Sequence, residues 1–279
     1  MESNFTLQTS DGLTLKGKVK NPTTPCQAVM TLIHGMGEHA ERYTHVADFF
    51  ANYGVATVSI DLRGHGNSEG KRGHTPSYDA LMSDIDKLIS KAKELFPNVP
   101  IIMYGHSMGG NLTLNYIIRK KPEIVGAIVT APYLKLAFEP PKWKVTLGKL
   151  TANLVPTLTQ PTGLETAAIS RDLAVVSAYE KDKLVHDKIT SAFFVNVHFA
   201  GPYAIEHASE IKVPLLVMHG TADRLTSPEG TKEFAKNSGK NVTLKIWNDL
   251  YHELHNEPEK MEVFQFELDW LLQNQIIKN

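Results

Sequence analysis

The run Gly105-His106-Ser107-Met108-Gly109-Gly110 constrains this 279-residue chain more than any other stretch. It joins an apolar, strand-like segment ending at Tyr104 to a helix-like one from Asn111 to Arg119. A G-x-S-x-G pattern in that setting predicts a sharp strand-to-helix turn with a strained serine backbone. The neighbours of that serine must lack Cβ atoms, and its hydroxyl then stands at the end of a sheet. Gly105 and Gly109 supply the room.

A serine hydroxyl is a poor nucleophile at neutral pH unless a histidine base, itself oriented by a carboxylate, stands beside it. The run from Val213 to His219 reads as a buried strand and Gly220-Thr221-Ala222-Asp223-Arg224 as the loop after it, which places Asp223 just past a strand end. The β-rich run from Val242 to Trp247 leads into Asn248-Asp249-Leu250-Tyr251-His252, so His252 also occupies a loop after a strand. Ser107, Asp223 and His252 therefore follow one another in an order that a parallel sheet can bring together. Asp249 is a rival acid, but it lies only three residues before His252 and lacks the strand-end position.

Short β-rich runs at 28–33, 55–60, 100–104, 125–130, 215–219 and 243–247 alternate with helical periodicity. Leu81, Ile85, Leu88, Ala92 and Leu95 mark one apolar helix face, and Met261, Phe264, Leu268 and Leu271 another. The fold class expected is α/β, with a mostly parallel central sheet, helices on both faces and a helical cap insertion. Residues 6–7 and 13–19, split by Ser10-Asp11-Gly12, predict an antiparallel hairpin at one edge. The alternation breaks after Pro132. Val145, Leu150, Leu154 and Leu158 suit one helical piece, Ile189, Phe193 and Phe194 another, and prolines 140, 141, 156 and 161 punctuate the stretch. We therefore expect an α/β core at 1–132 and 207–279 and a cap at 133–206. The cap would lie over the carboxyl ends of the strands with its underside on an apolar pocket.

Composition narrows the function. The formal net charge is -1 and the 29 basic residues are dispersed, so nothing draws the chain to nucleic acid. Cys26 is the only cysteine, which excludes an internal disulfide. The polar start Met1-Glu2-Ser3-Asn4 lacks a signal-peptide core, and no stretch approaches ~18 consecutive apolar residues. The expected location is cytoplasmic, or peripheral at membranes. Gly64, Gly66 and Gly70 imitate a nucleotide loop, but Pro76 and polar residues follow where that fold needs a helix, so a structural turn is expected. In His252-Glu253-Leu254-His255 the histidines are three positions apart rather than the four of H-E-x-x-H, so no metal is expected, and no cofactor.

Five segments together carry a family resemblance. They are His34-Gly35-Met36-Gly37-Glu38-His39 with Arg42, Asp61 to Gly70, Gly105 to Gly110, His219 to Arg224, and Tyr251 to His255. On these the chain resembles the α/β-hydrolase superfamily, and within it is similar to the monoacylglycerol lipases and lysophospholipases grouped with the serine aminopeptidases. The resemblance implies Ser107, Asp223 and His252 as a catalytic triad and the N–H groups of Met36 and Met108 as an oxyanion hole. Fixed backbone donors stabilise the charge that acyl transfer builds on a carbonyl oxygen. It further implies that Glu38, Arg42 and His255 bind the leaving alcohol, such as glycerol. The substrate would be a small lipid ester, with transient membrane contact through the cap. Lysophospholipid, small-ester or peptide hydrolysis, or ligand sensing without turnover, are the other readings the same constellation allows. Lys183 stands in the cap where relatives often carry proline, and with Thr226 in the acid loop no thiol is expected near Asp223.

Overall fold

Every residue of β3 (Ala28–Ile33), β4 (Val55–Ile60), β5 (Ile101–His106), β6 (Gly126–Thr130) and β9 (Leu215–Gly220) is buried, the signature of parallel strands covered on both faces. The computed structural model containing them describes residues 2–138 and 141–278. Met1 of the polar start and Pro140 of the cap lie outside the described residues. In chain order the remaining elements are the strands and helices β1 (Glu2–Gln8), β2 (Thr14–Lys20), α1 (Thr44–Ala51), α2 (Tyr78–Leu95) and α3 (Met108–Lys120). Then follow α4 (Lys142–Leu154), β7 (Thr159–Pro161), α5 (Leu173–Lys181), β8 (Lys188–Thr190), α6 (Ser191–Glu206), α7 (Pro228–Asn237), β10 (Val242–Trp247) and α8 (Lys260–Gln273).

Eight strands form one sheet in the order β1-β2-β4-β3-β5-β6-β9-β10. The β1–β2 and β2–β4 pairs are antiparallel, which gives the expected edge hairpin, and all other neighbours run parallel. Alternate side chains divide between two cores, as a period of two requires. Val29, Ile33, Met103, Val129 and Val217 meet α2, α3 and α6, whereas Met30, Leu32, Tyr104, Ile128 and Met218 meet α1 and α8. Each fully buried aliphatic side chain contributes about 1.5–3 kcal/mol.

The helices follow from their local chemistry. Ser77 caps α2 by accepting the Ala80 N–H at 3.1 Å, and Leu81, Ile85, Leu88 and Ala92 are fully buried. Leu95, expected on that face, is 38% exposed because the helix ends there. In α8, Phe264, Leu268 and Leu271 are buried, but Met261 in the first turn is exposed.

The stretch after Pro132 differs most from expectation. Trp143, Leu147, Leu150 and Leu154, spaced four, three and four along α4, are 64%, 49%, 55% and 72% exposed. Leu158, expected in the same helical piece, lies beyond the end of α4 and is also exposed. Periodicity defines an apolar face but not what it faces. The last helix of the expected cap, α6, buries Phe193, Val197, Ala200, Ala204 and Ile205 in the same core as α3, so its length is built into the α/β body.

Candidate active site

Ser107 sits between β5 and α3 with φ 55° and ψ −115°, a conformation that L-residues rarely adopt. Backbone bonds hold it there: its N–H donates to Thr130 O at 3.0 Å, and its carbonyl accepts from Asn111 N (3.0 Å) and Tyr133 N (2.9 Å). A Cβ on Gly109 would lie 2.0 Å from Ile33 O, and one on Gly105 would lie 2.3 Å from Thr113 Oγ1. The glycines in the pattern are a steric requirement of this turn.

The three side chains picked from strand-end positions meet. Ser107 Oγ is 2.9 Å from His252 Nε2, and His252 Nδ1 is 2.7 Å from Asp223 Oδ2. Because a carboxylate only accepts, Nδ1 carries the proton and Nε2 is left to accept from Ser107 O–H. Burial opposes charge on His252, but the Asp223 carboxylate outweighs it and raises the imidazole above its ordinary value. Burial would likewise raise Asp223, yet His252 and the hydrogen bonds from His219 and His252 hold it well below the usual carboxylate range. Asp249, the rival, is exposed and takes no part in the bonds to His252.

Met36 lies on the loop after β3 and Met108 opens α3. That loop presses on the serine: a Cβ on Gly35 would be 3.3 Å from Ser107 Cβ. The N-terminus of α3 directs unpaired backbone N–H groups and a positive dipole end toward this point. Residues 182–186 reach the same loop and the Asp61–Gly70 turn beside it. His186 N–H donates to Gly37 O at 2.8 Å, His186 Nε2 lies 3.0 Å from Gly64 O, and His39 Nε2 lies 2.8 Å from Asp182 Oδ2.

Glu38, Arg42 and His255 lie close together but turn inward. Glu38 Oε1 accepts from Gly35 N and Tyr43 O–H, each at 2.6 Å, while Oε2 pairs with Arg42 Nη1. Arg42 also grips Glu253 through two bonds of 2.7 Å, beneath the Tyr179 ring, whose centroid is 4.7 Å away. His255 is fully buried, stacked on Tyr43 at 4.5 Å and edge-on to His106 at 4.8 Å. Burial, with the nearby His106 and His45, holds it well below the ordinary histidine value, hence neutral. Glu38 and Arg42, expected at the alcohol site, pair with each other and with Glu253 in a buried brace under the Met36 loop, because a carboxylate and a guanidinium removed from water must pair. Two members of the site were missed. Glu253 adjoins His252, but its partner lies 211 residues away, and His219 reads as the last residues of a buried strand.

The Asp61–Gly70 segment is the structural turn expected. Asp61 accepts from Ala40 N (2.9 Å) and Asn67 N (2.8 Å), and buried Arg63 binds Asp84 and Asp11. Among the described residues no group of three His, Cys, Asp or Glu side chains is placed to hold a metal ion.

A mostly parallel sheet carrying a serine, an aspartate and a histidine on its strand-end loops, in that chain order, defines the α/β-hydrolase class. Within that class, residues 24–259 match the family "Serine aminopeptidase, S33", and the chain belongs to it. It is 33% identical over 263 residues to a monoacylglycerol lipase of Mycolicibacterium smegmatis, covering 94% of each protein. It is 38% identical over 268 residues to an uncharacterized abhydrolase domain-containing protein of Dictyostelium discoideum, spanning 95% of this chain but 28% of that protein. The crystal structure of Paleococcus ferrophilus monoacylglycerol lipase superposes with a TM-score of 0.84 at 29% identity, covering 98% of this chain and 99% of that one.

Proposed function

We propose that this protein hydrolyses monoacylglycerols to glycerol and a free fatty acid through an acyl-enzyme on Ser107. The contact chain Ser107–His252–Asp223 at a strained strand-to-helix turn carries the reading. The monoacylglycerol lipases to which the chain is similar over nearly its whole length support the substrate class. His252 Nε2 takes the hydroxyl proton as Oγ attacks the ester carbonyl, and the Met36 and Met108 N–H groups hold the oxyanion. The same proton then passes to the departing glycerol oxygen. Water enters, gives its proton to His252 and attacks the acyl carbon, and the fatty acid leaves as Ser107 recovers its proton. Asp223 fixes the tautomer and stabilises the imidazolium.

The brace of Glu38, Arg42 and Glu253 serves this chemistry by fixing the loop that carries Met36. The apolar face of α4 docks on the surface of the substrate aggregate or membrane, bringing amphiphilic esters to the site. Among the described residues no helix is long and apolar enough to cross a membrane.

Steady-state hydrolysis of a monoacylglycerol series of rising chain length, beside a lysophospholipid and a short chromogenic ester, tests the assignment. Monoacylglycerols should give the highest kcat/KM. Activity confined to the short ester would leave the triad in place and overturn the lipid substrate.

A further inference from the structure

Asp223 receives two imidazoles on one oxygen. His252 Nδ1 lies 2.7 Å from Oδ2, and His219 Nε2, from the end of β9, lies 2.9 Å from the same atom. Both His219 and the Asp223 side chain are removed from water, with exposures of 0%. The other oxygen, Oδ1, is filled by the Leu225 and Thr226 N–H groups at 2.8 and 3.0 Å. Thr226 Oγ1 approaches Oδ2 at 3.0 Å and Ala131 O at 3.2 Å, and its single proton serves one of them at a time. His219 is thus the second imidazole donor on the oxygen that faces the base, its Nε2 lying nearer to Oδ2 than to the Thr226 carbonyl at 3.3 Å.

Its tautomer is fixed from both sides. Oδ2 is a pure acceptor and requires a proton on Nε2, while Nδ1 lies 2.7 Å from Thr231 Oγ1 of α7 and accepts its O–H. Thr231 is itself fully buried, so no water competes for that bond. The line Thr231–His219–Asp223–His252–Ser107 therefore runs unbroken from α7 past the end of β9 to the nucleophile.

From this geometry we infer that His219 is a positioning residue that, through its Nε2–H bond to Asp223, orients the carboxylate and limits how strongly that carboxylate holds a proton on His252. The inference rests on the proposed triad and deepens it. A carboxylate oxygen shared between two donors offers less negative charge to either, so removing one strengthens its hold on the other. Without His219, Asp223 keeps His252 protonated to higher pH, and with one anchor fewer it also swings. The remaining ionisable groups facing the Asp223–His252 pair are His106 of β5, whose ring centre is 4.7 Å from that of His252, the buried His255 behind it, and the Glu38–Arg42–Glu253 brace. None of these touches His219 in the bonds above, so they are common to wild type and variants.

The test compares the pH profile of kcat/KM for wild type, His219→Met and His219→Gln on one water-soluble ester. Methionine fills similar volume without a donor, whereas the glutamine amide keeps an N–H near the position of Nε2. His219→Met should move the acid limb up by about half to one pH unit and lower the plateau by roughly tenfold or more, as loss of a charge-assisted bond implies. His219→Gln should restore the limb to within about 0.2 unit and most of the plateau. A limb at the wild-type pH or below it in His219→Met overturns the inference, even if the plateau falls. If His219→Met does not fold, Thr231→Val, which removes the donor to Nδ1, reads the same limb. A smaller upward shift supports the inference and none overturns it. Ser107→Ala run alongside separates the two levels: activity persisting there refutes the triad itself, whereas activity lost there with no shift in the His219 variants refutes only the role of His219.

Discussion

Glu253 holds Arg42 by both oxygens, Oε1 to Nη1 and Oε2 to Nη2 at 2.7 Å each, across 211 residues of chain. The pair is nearly dry, with side-chain exposures of 10% and 4%, and it ties the loop after the base to the helix-entry segment beside the Met36 loop. Removing Glu253 leaves the buried Arg42 paired with Glu38 alone, so the cost lies below the about 3–5 kcal/mol of a fully broken buried pair. Glu253→Ala should therefore lower Tm by on the order of a few degrees, with Glu253→Gln in between. Thermal melts monitored by circular dichroism check this, and an unchanged Tm would mean that the brace does not hold the loop.

His252 must be neutral to accept the Ser107 proton, and Asp223 raises it above the ordinary histidine value of 6.5. The acid limb of kcat/KM should therefore have its midpoint above 6.5, with activity rising as pH climbs through it. The linked effect on stability has the opposite sign. A histidine raised on folding stabilises the folded state below its unfolded pKa, and this contribution fades as pH rises through the folded value. A pH–rate profile with its midpoint below 6.5 would contradict the strong Asp223–His252 bond.

Glu267 lies fully buried on α8 beneath the sheet, and burial pushes its carboxyl up to about 8, only partly offset by the Tyr104 hydroxyl. It is neutral when folded and ionised when unfolded near neutral pH, so the folded state loses stability as pH rises from about 4.5 to about 8. At pH 7 this penalty is on the order of 3 kcal/mol. Glu267→Gln cannot ionise and should raise Tm by several degrees at pH 7.5, with the gain vanishing near pH 4.5. A gain that does not depend on pH would place the effect in packing instead.

Gly109 has no room for a methyl group, since its Cβ would lie 2.0 Å from Ile33 O and 2.6 Å from His34 O, both at the entry to the Met36 loop. Gly109→Ala should lower kcat/KM by roughly a hundredfold or more through displacement of that loop and the serine turn. Gly239→Ala, with nothing within 4 Å of the added carbon, is the matched control and should alter stability by less than ~0.5 kcal/mol. Kinetics and melts on the two variants decide the point.

The sheet and the strand-end positions of Ser107, Asp223 and His252 were legible because both rest on local patterns. Continuous apolar runs mark β3, β5 and β9, and the loops after β9 and β10 carry Asp223 and His252 at fixed distances from strand ends. What stayed hidden depends on long-range pairing. No spacing rule joins Arg42 to Glu253, and His219 is indistinguishable in sequence from a strand residue that merely fills space. The apolar period of α4 was visible, but a period cannot say whether Leu150 and Leu154 face a pocket or water. The burial of His255 and its stack on Tyr43 were likewise out of reach of any local pattern.

The central claim, that Ser107 is the nucleophile of an ester hydrolase, is tested most directly by kcat/KM on a monoacylglycerol for wild type and Ser107→Ala with matched melting curves. The account predicts a loss of at least ~10³-fold with Tm little changed, since triad members act as a unit while the fold does not need the hydroxyl. Retention of activity within a few fold would show that the ester is cleaved by another group.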